Sequence, residues 1–189
     1  MYYHASSVEG IETLEPRVSN HNVPLIYFSD KRENVLVYLS NAIEKYCKET
    51  GFAHSGKWTK WGPYGFNKDG TLRIEEYYPN ALEDTYKGVS GYIYSVENIK
   101  EKDSGFALQI PNAATSSEPV AVAHCEYVSD ALEAILAAEK DGLITILRYE
   151  DLSEAKLEWN ERTIKEEYEN AADQPDYRHF IEGKFHIGG

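Results

Sequence analysis

The sequence has few cysteines, no long apolar run and no recognisable leader. Its two cysteines, Cys47 and Cys125, belong to no CxxC pair. Two buried free thiols in a reducing compartment are favoured over a disulfide. No apolar run approaches the ~20 residues that a membrane helix needs. The first residues lack the basic and apolar regions of a signal peptide. The sequence therefore predicts a cytoplasmic protein without a membrane span.

Basic residues are scarce too. The chain has 19 Lys and Arg against 32 Asp and Glu, which gives a formal net charge of -13 at pH 7. Such a surface repels a phosphate backbone, so double-stranded nucleic acid is not an expected partner. A small anionic ligand in a local pocket stays compatible with this charge. The composition thus excludes a DNA groove reader but not a nucleotide site.

The common catalytic and metal-binding motifs are also missing. The sequence has no GxGxxG, P-loop, HExxH or GxSxG motif. Its six histidines are scattered, and none forms an i, i+4 pair with another. Metal ligands would have to come from distant segments, so we expect no metal site. Any catalytic site must be built in another way.

What the chain does contain is enough apolar material for one core. Hydrophobic residues make up 42% of its 189 residues, and 15 residues are Tyr. This length suits one domain, which we place at residues 1–174. The tail, residues 175–189, carries aromatic side chains and is expected to pack back on that domain. Tyrosines can cover a sheet or line a cleft, because each has an apolar body and a polar tip.

The order of the periodic segments predicts the fold class. Residues 24–28 form an apolar and aromatic run typical of a buried strand, and residues 35–47 have the apolar spacing of a helix. Further strands are predicted near 71–78, 90–97, 105–110 and 118–128, and two further helices are predicted to begin at the cap residues Ser129 and Ser153. Strands and helices do not alternate regularly along the chain, which favours an α+β domain with a mostly antiparallel sheet. Residues 52–70 interleave glycines with aromatic rings and lysines. They are interpreted either as a lid over a ligand or as a cluster packed under the sheet.

Three short segments stand at the ends of predicted strands. Residues 3–6 (YHAS) end the first strand, residues 26–29 (IYFS) end the second, and residues 117–122 (SEPVAV) open a later one. In order and setting these segments resemble the ADP-ribosyltransferase superfamily, most closely its small bacterial members of the rifampin-modifying type. The resemblance covers residues 1–130 in outline. It implies a split, mostly antiparallel sheet with flanking helices, and NAD as a co-substrate whose ADP-ribose goes to a small-molecule or protein acceptor.

The resemblance also assigns roles to residues of the cofactor site. His4 would hydrogen-bond a ribose hydroxyl of NAD, which a neutral imidazole can do. Ser6 would donate to a ribose or amide group beside it. Tyr27 would stack on the nicotinamide ring. Arg17 or Arg32 would meet the pyrophosphate, because a guanidinium matches phosphate oxygens.

The catalytic acid is assigned in the same way. Glu118 would stabilise the cationic centre that forms as nicotinamide leaves, where a preorganised carboxylate contributes most. Glu97, Glu126 and Asp103 are rival carboxylates.

Each assigned residue also has a structural interpretation. His4 can be a satisfied strand-end histidine, Tyr27 a core residue and Glu118 a solvated charge. A catalytically inactive binding protein on the same scaffold is therefore the alternative function. A regulatory partner protein, docking through its acidic last helix, is a third.

Overall fold

A computed structural model describes residues 1–18, 23–55, 61–99 and 110–187 of the chain. Within these ranges helices are combined with mostly antiparallel strands, which confirms the predicted α+β class. The strands are β1 (Tyr2–Ser6), β2 (Thr13–Leu14), β3 (Arg17–Val18), β4 (Pro24–Ser29), β5 (Tyr64–Phe66), β6 (Leu72–Glu75), β7 (Gly91–Val96), β8 (Ala113–Ser116), β9 (Val120–Ala121), β10 (His124–Val128) and β11 (Ile144–Leu147). The α-helices are α1 (Ala42–Thr50), α2 (Ala81–Tyr86), α3 (Ala131–Lys140), α4 (Glu154–Asn170) and α5 (Pro175–Phe185). Two 3₁₀ helices cover Arg32–Tyr38 and Tyr149–Asp151.

The largest sheet has the strand order β10-β7-β1-β4-β3, and β8 also pairs with β4. Its central strand β1 is paired along its whole length with β7. In contrast, β1 pairs with β4 at a single position, where Tyr3 lies opposite Ser29. The remaining residues of β4 pair with β8 and β3. The two strands therefore meet at one end and separate toward the carboxyl end of β1.

Two smaller sheets complete the strand pairing. One has the order β11-β6-β5, and its β11–β6 pair is parallel. The other joins β2 to β9. Because β9 follows β8 closely, this pair holds the segment between β1 and β3 beside the largest sheet.

Apolar side chains form three clusters around these elements. One face of the largest sheet buries Ala5 and Ile93 against the first 3₁₀ helix and α3. The opposite face buries Phe28 and Tyr94. These two sets separate because successive side chains of a strand point to opposite faces. The third cluster lies between α1, α4 and α5 and includes Phe180.

The C-terminal tail packs on the domain as a helix, α5. Pro175 stands at its first position, where a missing N–H costs nothing. Phe180 and Ile181 are fully buried in the third cluster. The buried carboxylate of Asp176 accepts hydrogen bonds from the backbone N–H and the hydroxyl of Ser55, at 2.8 and 2.6 Å. The helix is thereby attached to the loop after α1.

Several local expectations change in the structure. Cys47 is buried as predicted, but Cys125 is exposed, because it lies on the sheet's terminal strand β10. The ring of Trp61 packs against Phe180 at 5.4 Å, which places this part of the aromatic loop in a cluster rather than in a lid. The rest of that loop at 56–60, and nearly all of a strand predicted at 105–110, lie outside the described residues. Across the described ranges, no helix combines the length and the apolar character required to cross a membrane.

Candidate functional site

The side chain of His4, on β1, contacts β4 next to the point where the two strands separate. Its Nδ1 lies 2.9 Å from the carbonyl oxygen of Tyr27. Since a carbonyl only accepts, Nδ1 carries the proton and donates. The imidazole also packs edge-on against the ring of Phe28, at a centroid distance of 6.1 Å. These two contacts orient the ring, so its orientation does not depend on a ligand.

A hollow of about 360 Å³ opens beside this histidine, between β1, β4 and the segment that joins β1 to β3. We call it the β1 hollow. Four of the five residues predicted for the site line it: His4, Ser6, Arg17 and Tyr27. Apolar side chains, including Leu14 and Ile26, contribute the rest of its wall. Its volume lies in the lower part of the range of small-molecule pockets, which runs from about 300 to 1,000 Å³.

The sequence interpretation required the rings of His4 and Tyr27 to face one common cleft. In the structure they lie on opposite faces of the sheet. With Tyr3 opposite Ser29, alternation places Ala5 and Tyr27 on one face of the sheet. His4 shares the other face with Phe28, as their ring contact shows. In the β1 hollow, Tyr27 therefore presents its main chain, and its phenol belongs to the opposite face.

On that opposite face the phenol of Tyr27 belongs to a group of tyrosines. The hydroxyl of Tyr38 lies 2.7 Å from the hydroxyl of Tyr64. Burial is the main cause that raises the pKa of Tyr38 above its ordinary value, and neighbouring Tyr64 and Tyr27 raise it further. The Tyr38 phenol is therefore uncharged at neutral pH. It can hydrogen-bond and stack, but it does not act as a base.

A second hollow, of about 250 Å³, lies beside Tyr38. We call it the Tyr38 hollow. It is also lined by Ser7 and Asn41. The side-chain oxygen of Asn41 is buried and has no hydrogen-bond partner among the residues that the structure describes. Ser6 lines the first hollow and Ser7 the second, so consecutive residues, about 3.8 Å apart at their Cα atoms, separate the two.

The predicted catalytic acid, Glu118, lies outside both hollows. It is exposed in the turn between β8 and β9, where its backbone N–H and carbonyl bond to the hydroxyl of Ser116. The described carboxylates that line the hollows are Glu15 in the β1 hollow and Glu44 in the Tyr38 hollow. Strands β2 and β9 are antiparallel, with Leu14 opposite Val120. Glu118, which precedes β9, therefore lies near the carboxyl end of β2, where Glu15 follows.

The rival carboxylates have other surroundings. Glu126 accepts from Arg32, with one oxygen 2.8 Å from the guanidinium Nε, and this pairing holds the pKa of Glu126 below its usual range. Arg32, the alternative pyrophosphate residue, is therefore engaged by a carboxylate. Glu97 is exposed just after β7, and Asp103 lies outside the described residues.

Sequence reasoning missed Glu15, Tyr38 and Asn41. Glu15 stands in an irregular segment with no periodic signal. Tyr38 had a usable signal, because an aromatic ring interrupts the polar side of the pattern that predicts a helix over 35–47. Asn41 precedes α1 as its N-cap residue, a position that asparagine often occupies for structural reasons alone.

Comparison with known proteins adds no assignment. No protein-family model matches the chain, and neither the curated proteins nor the solved structures contain a match. In the part of the chain that the structure describes, no three His, Cys, Asp or Glu side chains are grouped so as to hold a metal ion.

Proposed function

We propose that the chain is an ADP-ribosyltransferase-like protein that binds NAD across the carboxyl end of β1. The observation that carries this proposal is the pair of hollows lined by the consecutive residues Ser6 and Ser7, where β1 separates from β4. A strand that leaves its neighbour is consistent with the split sheet that the sequence resemblance implies. ADP-ribose would be transferred to a small-molecule or protein acceptor.

The predicted site residues lie on two faces of the sheet, which suits a ligand with two halves. A dinucleotide consists of two nucleosides joined by a pyrophosphate, and each hollow has the size for part of it rather than the whole. His4 and Ser6 would bind ribose hydroxyls in the β1 hollow, and Arg17 at its wall would meet a phosphate. The nicotinamide ring would lie in the Tyr38 hollow beside Tyr38.

Two carboxylates compete for the catalytic role, Glu118 outside the β1 hollow and Glu15 in its wall. Glu118 keeps the role that the resemblance implies, and Glu15 competes with it because it lines the hollow. As the bond between nicotinamide and ribose breaks, a carboxylate within contact of the ribose would stabilise the positive charge on the sugar. Glu118→Gln and Glu15→Gln separate the two candidates: the catalytic one stops nicotinamide release and leaves NAD binding within about twofold.

One observation favours the alternative, a binding protein without catalysis. Of the described carboxylates proposed from the sequence, none lines either hollow, and Glu126 is held by Arg32. Such a protein would bind NAD and leave it intact. Chromatography of an NAD incubation distinguishes the two functions, because only the transferase releases nicotinamide.

Calorimetric titration with NAD tests the binding site. The parent protein is expected to bind, and His4→Ala and Tyr38→Ala are each expected to weaken binding at least about tenfold, or about 1.4 kcal/mol. His124→Ala, an exposed histidine on β10, is the matched control and should bind like the parent. Circular dichroism shows whether each variant folds.

Two results would contradict this site. Absence of measurable heat with the parent protein removes NAD as the ligand. If His4→Ala weakens binding and a folded Tyr38→Ala does not, the ligand occupies the β1 hollow alone and does not cross the strand end.

A further inference from the structure

A hollow larger than these two lies elsewhere, beside α4. Its volume is about 750 Å³, well inside the range of small-molecule sites. We call it the α4 cleft. Its walls come from α4, from the segment Tyr77–Pro79 after β6 and from the end of α5. It shares no lining residue with the β1 hollow or the Tyr38 hollow among the residues described.

An unsatisfied amide stands in the wall of this cleft. Asn160 lines it and is only 3% exposed. Neither its side-chain nitrogen nor its oxygen has a hydrogen-bond partner within the described ranges. It lies one helical turn before Ile164, which belongs to the third apolar cluster, so the amide is on the buried face of α4. A buried polar group without a partner costs about 1–3 kcal/mol, and a bound ligand that hydrogen-bonds the amide would remove that cost.

The walls of the cleft offer ring surfaces. Tyr77, Tyr78, Tyr149 and Phe185 all line it. The hydroxyl of Tyr78 already donates to Asp84 at 2.7 Å, so this residue presents its ring rather than its polar tip. Aromatic walls around one amide are suited to a ligand with an aromatic or otherwise apolar body.

The charges of the cleft do not cancel. Its two lysines are paired, Lys165 with Glu161 and Lys184 with Asp84, each at 2.6 Å. Glu154 and Glu158 also line the cleft, and no ion pair to either is seen in the described structure. They are four residues apart on α4 and therefore share one side of the helix. The opening of the cleft is left with a negative charge.

From the buried amide, the ring walls and the two carboxylates together, we propose that the α4 cleft binds a small organic cation. Its ligand has an aromatic body between the ring walls, a polar group that hydrogen-bonds Asn160, and a protonated amine toward Glu154 and Glu158. This site does not depend on the NAD proposal, because the two involve different residues.

Calorimetric titration of the full chain with two matched probes tests the charge and the body of the ligand. Tyramine has a phenol and a protonated amine on a two-carbon linker. The probe 3-(4-hydroxyphenyl)propionate has the same phenol and linker but ends in a carboxylate. We expect tyramine to bind at least about tenfold more tightly than the propionate. Equal affinities, or no binding of tyramine, overturn the proposal.

Variants of α4 test the residues. Asn160→Leu keeps the size of the side chain and removes the amide, so we expect a folded protein, more resistant to urea, whose affinity for tyramine falls at least about tenfold. Asn170→Leu, at the exposed end of the same helix, is the control and should bind as the parent does. Unchanged tyramine affinity in a folded Asn160→Leu protein overturns the role of the amide.

A second pair of variants tests the carboxylates at the opening of the cleft, and it applies even if Asn160→Leu fails to fold. Glu158→Gln should weaken tyramine binding, whereas Glu169→Gln, exposed and outside the cleft, should not. Equal effects of the two would mean that only the net charge of the protein attracts the amine, and this result also overturns the site.

Discussion

The carboxylate of Glu76 is buried, yet it bonds to two backbone groups from different parts of the chain. One oxygen accepts from the N–H of Leu82 at 2.8 Å and the other from the N–H of Tyr149 at 3.0 Å. Leu82 is in the first turn of α2, where backbone N–H groups have no partner within the helix. The N-cap residue of α2, Asn80, makes no side-chain cap bond. Glu76 therefore takes over the capping of α2 and attaches it to the second 3₁₀ helix.

Removal of this carboxylate should destabilise the fold. We expect Glu76→Ala to lower the free energy of unfolding by about 2–4 kcal/mol, because a buried N–H of Leu82 and a partly buried N–H of Tyr149 lose their acceptor. Urea denaturation followed by circular dichroism measures the change. Glu83→Ala, an exposed glutamate on α2, is the control and should stay within about 0.5 kcal/mol of the parent. Equal losses in both variants would contradict the capping role.

At the scale of elements, α3 shows how far a local pattern can locate a helix start. The sequence predicts Ser129 as its cap, and the structure places the cap one residue later, at Asp130. The Asp130 carboxylate accepts from the N–H groups of Leu132 and Glu133, and its other oxygen accepts from the N–H of Gly88 at 2.8 Å. Both residue types can cap a helix, but only the carboxylate of Asp130 has a second oxygen, which accepts from Gly88 while the first caps the helix. The predicted cap of α4 at Ser153 is confirmed.

The cap of α3 gives a test at this scale. Asp130→Ala should lower the free energy of unfolding by about 1–2 kcal/mol from the cap alone. Asp130→Asn retains an acceptor oxygen and should recover most of that loss. Urea denaturation of both variants and the parent measures the difference. If the asparagine variant is as unstable as the alanine variant, the charge rather than the cap is the stabilising feature.

For the whole molecule, acidic groups dominate the response to pH. Burial by itself would raise the pKa of Glu75, but hydrogen bonds and charge from Lys156 and Arg73 hold it below its usual value of 4.5. Asp84 likewise has a lowered pKa, because Lys184 and Tyr78 outweigh its burial. A carboxyl whose pKa is lower in the folded state stabilises the fold above its unfolded pKa. That contribution is lost as the pH falls through its folded pKa.

We therefore expect stability to fall steeply below about pH 4.5, the ordinary value of a glutamate. The formal net charge of -13 at pH 7 approaches zero as the pH falls to the isoelectric point near 4.9. The accompanying loss of charge repulsion should raise stability over this interval. Urea midpoints at pH 7, 5 and 3 should thus be highest near pH 5 and lowest at pH 3. A midpoint at pH 3 equal to that at pH 5 would contradict the role of the paired carboxylates.

The sequence by itself determined the fold class and most strand segments, because alternation in strands and helical spacing are short-range patterns. His4, Ser6 and Arg17, which line one hollow, were proposed from the family resemblance alone. Only the tertiary structure decided that β1 parts from β4, that the rings of His4 and Tyr27 face opposite sides, and that Glu118 lies outside the hollows. Strand register and the partners of a buried side chain depend on residues far apart in the chain. No local pattern contains that information, and for the same reason Asn160 could not be singled out before the α4 cleft was seen.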